Sequence, residues 1–81
     1  MLKMRLKEII NDSVIYYFQP ECRGGDGIIK FTFEDEKLIE YVIIEDSEYR
    51  CNSMYIYHCL SLVKKMKKEG EFLKECFSAW Y

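Results

Sequence analysis

The sequence predicts a small α+β domain: a four- to five-stranded, mainly antiparallel sheet with one amphipathic helix packed on one face, in the order β-β-β-β-α-β. Three observations lead there. From Leu2 to Ile44 apolar residues come in short alternating or β-branched runs separated by polar turns. From Ser53 to Glu69 they recur at helical spacing. The length, 81 residues, allows one domain (residues 1–81) with one modest core.

Leu2, Met4 and Leu6 alternate with Lys3, Arg5 and Lys7, the period of a half-buried strand, and Glu8-Ile9-Ile10 extends it. Leu2, Leu6, Ile9 and Ile10 also fit a helical spacing. The strand is favoured because Asn11-Asp12-Ser13 is a turn signal with a strong strand straight after it. That next strand, Val14-Ile15-Tyr16-Tyr17-Phe18, is built of β formers, and Pro20, which has no backbone N–H to give a ladder, ends it. The glycine-bearing stretch Glu21 to Gly27 invites comparison with a phosphate loop. It lacks the spacing of one, and a strand follows rather than a helix whose N-terminus would face an anion. It reads as a connection.

Ile29, Phe31 and Phe33 share one face of a third strand, with Lys30 and Thr32 on the other. Glu34 to Lys37 is a polar turn, and Leu38 to Ile44 a returning strand, although the turn lacks the usual Asn-Gly pair. Asp46 to Asn52 reads as irregular, with Asn52 or Ser53 capping the helix. On that helix Tyr55, Ile56, Cys59, Val63 and Met66 fall within about 100° of arc, while Tyr57, His58, Ser61, Lys64, Lys65 and Lys68 lie opposite. Lys67 and Lys68 suit the negative end of the helix dipole, and Gly70 is a natural residue just beyond it. A short further turn of helix is expected within Glu71–Cys76, then a final strand over Phe77–Tyr81, docked through Trp80 and Tyr81.

Hydrophobic residues make up 49% of the chain and charged ones 32%, a globular balance. The formal net charge of −2 argues against a general polyanion binder. Acids crowd residues 34–50 and lysines crowd the helix, an asymmetry that most often marks a solvated surface. Lys3, Arg5, Lys7 and Glu8 interrupt any apolar start, so no signal peptide is expected; no run approaches the about 20 apolar residues of a membrane span. The expected location is cytoplasmic, with no membrane partner.

Cys22, Cys51, Cys59 and Cys76 match no zinc spacing, and in a reducing compartment they stay free. Cys59 lies on the apolar helix stripe and reads as a small core residue. His58 is the only histidine, and no nucleophile-base spacing accompanies it; a surface role fits it better than a general base. The acids at 34–36 and 45–48 resemble no calcium loop. No catalytic, cofactor or metal residue is therefore assigned, and the chain reads as a non-enzyme.

The apolar count is more informative. In Val14–Phe18 and Leu38–Ile44 both strand faces are apolar, and one helix covers one face. Large exposed apolar patches mark interaction sites. The expected function is a protein-interaction module or homodimer using the uncovered sheet face, with Tyr16, Phe18 and Tyr41 as sheet candidates and Tyr57, His58, Lys64 and Lys68 on the polar helix face. The alternative is a small nucleic-acid-binding protein, with helix lysines on phosphates and surface aromatics stacked on bases.

Tyr17-Phe18-Gln19-Pro20-Glu21, a glycine before Ile28-Ile29, Tyr57-His58-Cys59 on a helix and a terminal Ala79-Trp80-Tyr81 together resemble a group of small uncharacterised proteins from Firmicutes. The similarity runs from about residue 14 onward. Members of that group often carry a proline after the helix, where this chain has Leu73-Lys74. The resemblance implies a β-meander, one helix, a closing Ala-Trp-Tyr and a bacterial origin, and it implies no activity.

Overall fold

The computed structural model describes residues 2–21, 25–46 and 53–78. Six elements follow in order: β1 (Leu2–Ile10), β2 (Ser13–Pro20), β3 (Gly27–Glu34), β4 (Lys37–Glu45), α1 (Ser53–Glu69) and β5 (Glu75–Ser78). The strands form one antiparallel sheet in the order β4-β3-β2-β1-β5. The first four make a meander. The chain then passes through α1 and returns to add β5 to the free side of β1. The predicted α+β fold is what the chain adopts, and its first segment is a strand.

Two-residue turns close the first and third hairpins. Ile10 pairs with Ser13 across Asn11-Asp12, and Glu34 with Lys37 across Asp35-Glu36. The leading residue of each turn is left-handed, Asn11 at φ 51° and Asp35 at φ 57°. Asn and Asp tolerate that region better than other residues bearing a Cβ, so they serve here without a following glycine. The Asp12 carbonyl also accepts the Phe33 backbone N–H at 2.8 Å, tying the first turn to β3.

Residues opposed across a ladder share a face. Leu2 and Met4 of β1, Tyr16 and Phe18 of β2 and Ile29 and Phe31 of β3 therefore form one apolar layer, all of them fully buried. Helix α1 lays Tyr55, Ile56, Cys59, Val63 and Met66 on it, the stripe read from the sequence. At the helix exit Gly70 sits at φ 86°. Its N–H donates to the Lys67 carbonyl at 3.2 Å, and that of Glu71 to the Met66 carbonyl at 3.1 Å. This paired arrangement is a Schellman cap, which a glycine enters without Cβ strain.

Two local expectations are corrected. No further helical turn follows Gly70: residues 71–73 are irregular, and the last strand starts at Glu75 instead of Phe77. The reason is competition for backbone carbonyls. Lys74 gives its carbonyl to the Leu6 N–H at 2.8 Å and Leu73 gives its own to the Tyr16 hydroxyl at 2.7 Å, so this stretch is fastened to β1 and β2 instead of closing a turn on itself. The expected docking of Ala79-Trp80-Tyr81 and the Asn52 cap lie outside the described residues.

Candidate interaction surface

A helix about 10 Å across spans two to three strands at about 4.8 Å spacing. Five strands leave a remainder, and α1 leaves it at β4. Of that strand only Leu38 packs against the core, and every other β4 residue is exposed. Ile39 and Ile44 are 56% and 55% accessible, and Tyr41, Val42 and Ile43 are exposed as well. Tyr41 and Ile43 lie on the helix-bearing face, opposite Phe31 and Ile29, while Val42 lies on the other face opposite Lys30. Ile39 and Ile44 are the extra residues at two register shifts against β3. Bulges and the charged Lys37, Glu40 and Glu45 are devices that temper an exposed edge, but among the described residues no strand pairs with the outer side of β4.

The face of the sheet away from α1 has a different character. Lys3 lies 5.6 Å from the Phe77 ring centroid and 3.4 Å from the Glu75 carboxylate. Arg5 lies over the Tyr17 ring at 5.1 Å and pairs with Asp26. Ser13 and Thr32 share a hydrogen bond at 3.2 Å. Between these groups Ile15, flanked across the ladders by Glu8 and Lys30, is only 7% exposed. The face not covered by the helix is thus largely dressed in charge, with Ile10 and Phe77 exposed among these groups. Ile9, Met54, Tyr57 and Leu73 are exposed singly elsewhere, and the longest run of exposed apolar residues, Tyr41 to Ile44 with Ile39, lies along β4.

The candidate residues from the sequence fall into three groups. Tyr16 and Phe18 are fully buried beneath α1 and offer a partner no surface. This corrects their assignment as contact residues: strand parity put Val14, Tyr16 and Phe18 under the helix and Ile15 and Tyr17 on the other side. Tyr41 is exposed on β4. Tyr57, Lys64 and Lys68 are exposed on α1. Lys64 and Lys68 come together with Glu36, Lys37 and Leu38 around a shallow groove of about 630 Å³ between the helix and the start of β4. His58 is half-buried, its Nδ1 3.3 Å from the Ser78 hydroxyl, which makes it a link between α1 and β5. Of β4 only Tyr41 is among the candidate residues, although Leu38 to Ile44 reads in the sequence as a strand apolar on both faces. That this strand lies at the edge is not legible there.

Buried polar groups outside β4 serve the fold. The Tyr16 hydroxyl has partners in Leu73 and, at 3.3 Å, the Met66 sulfur. Burial pushes its phenol well above the ordinary 10.0, with Cys76 adding in the same direction. Burial and then the Glu75 carboxylate raise the Cys76 thiol. The Tyr55 hydroxyl donates to the Glu21 carboxylate at 2.6 Å, joining the start of α1 to the end of β2. Among the described residues no group of three or more His, Cys, Asp or Glu is placed to hold a metal ion, and no helix is long and apolar enough to cross a membrane. No protein-family model, curated protein or solved structure matches the chain.

Proposed function

We propose that this protein is a non-enzymatic protein-interaction module working through β4. One observation carries the reading: a nine-residue edge strand exposes Ile39, Tyr41, Val42, Ile43 and Ile44 together. Unpaired strand edges recruit another chain by main-chain hydrogen bonding, and side chains on the two faces then set specificity. A display library of extended peptides selected on the protein tests this. Selected peptides are expected to bind the parent and to lose binding to Ile43→Lys, with Tyr57→Ala unaffected. Peptides insensitive to Ile43→Lys would place the interaction elsewhere.

A second reading, nucleic-acid binding, draws support from Lys64 and Lys68, which line one groove on the helix side of the sheet. Its test is single-stranded oligonucleotide binding across a salt series. A phosphate-contacting site gives affinity that falls steeply with salt and is lost in Lys64→Glu/Lys68→Glu. The net charge of −2 and the presence of Glu36 in the groove favour the first reading.

A further inference from the structure

β4 carries an internal symmetry of charge and apolarity. Its sequence, Lys37-Leu38-Ile39-Glu40-Tyr41-Val42-Ile43-Ile44-Glu45, is centred on Tyr41. Turning an identical strand antiparallel about that residue sets Lys37 opposite Glu45, Leu38 opposite Ile44, Ile39 opposite Ile43, Glu40 opposite Val42, and Tyr41 opposite itself. The faces agree for the charged pair and for Glu40 with Val42. Opposed residues of antiparallel strands share a face, and Lys37 and Glu45 do: they pair with Glu34 and Ile28 of β3, which both flank the helix-facing row of Ile29 and Phe33 and so lie on the far side. Glu40 and Val42 share that side too, opposite Thr32 and Lys30. Among the described residues neither Lys37 nor Glu45 has an ion-pair partner within 4 Å.

Resting on the interaction-module reading, we infer that the partner of β4 is a second copy of this chain, joined β4 to β4 in antiparallel register about Tyr41. The pairing makes one sheet continuous through both copies, with the two helices on the same face. Two Lys37–Glu45 pairs bracket the seam. Tyr41 and Ile43 of each copy, bare beyond the reach of α1, line the trough between the helices. The contact is isologous and closes after two copies, since it consumes the β4 edge of each.

Charge reversal read by sedimentation at matched concentration tests the register. The wild type is expected to dimerise. Lys37→Glu sets acid against acid at both ends of the seam and Glu45→Lys sets lysine against lysine, and each alone weakens the dimer about tenfold, as two attractive cross-strand pairs become repulsive. Mixed in equal amounts, the two variants restore both pairs, and the heterodimer returns to wild-type affinity. Variants that dimerise like the wild type, or a mixture that stays as weak as its components, would overturn the register. A wild type that is monomeric at high micromolar concentration would overturn the second copy as partner. The peptide selection separates that failure from failure of the module reading: peptides lost on Ile43→Lys leave β4 an interaction edge for a different chain.

Discussion

The Tyr16 hydroxyl donates to the Leu73 carbonyl at 2.7 Å, joining the middle of the central strand to the segment that leads from α1 into β5. Met66 completes the arrangement, its sulfur 3.3 Å from the same hydroxyl and 3.2 Å from the Leu73 nitrogen. Tyr16→Phe keeps the ring and removes this junction. An expected loss of about 1 kcal/mol, the net worth of one such bond, would appear in urea denaturation. Amide exchange in residues 71–78 should quicken more than in β3.

The same phenol makes stability depend on alkaline pH. Its pKa is raised in the folded protein relative to 10.0 when unfolded. The unfolded chain therefore loses this proton first, and the contribution is complete below pH 10 and is lost as pH rises from there toward the folded value. Thermal midpoints measured from pH 8 upward should fall first as the half-buried Cys76 thiol makes itself felt above pH 9.0 and further beyond pH 10, this second part being less steep in Tyr16→Phe.

Gly27 pairs with Phe18, and a Cβ built there would lie 2.3 Å from the Phe18 ring and 2.8 Å from the Glu45 carbonyl oxygen. Both sit in a packed sheet and neither yields easily. Gly27→Ala is expected to cost about 2–3 kcal/mol through overpacking, read by denaturation, with Phe18 resonances displaced.

Gly70 has the opposite problem. A Cβ there meets nothing within 4 Å, but φ is 86°. Gly70→Ala should cost about 1 kcal/mol from the left-handed backbone alone, and Gly70→Asn, which suits that region better, less than that. Denaturation of the pair checks the order. An Ala variant as stable as the parent would mean that the cap rearranges.

Most of the fold was legible because local pattern and global packing agree. The alternation of β3, the stripe on α1 and the glycine after it each name their own structure. What periodicity could not supply was position within the sheet. Tyr16 and Tyr41 look alike in sequence, each an aromatic residue in a strand apolar on both faces, yet one is at the centre of the core and the other on the rim. The difference arises from β5 adding beside β1, which moves the centre of the sheet toward β2 and leaves β4 outside. The segment after Gly70 departs from its local propensity for a similar reason: its partners, Leu6 and Tyr16, are distant in the chain.

The closure of β5 on β1 also has a kinetic side. The three hairpins of the meander join neighbours in sequence and form early, whereas Leu2 meets Ser78 only after nearly the whole chain has been gathered in. Until then the outer side of β1 stays open to a β5 from any molecule nearby. Refolding at high protein concentration should therefore yield exchanged species in which β5 strands cross over between chains, and dilute refolding should suppress them.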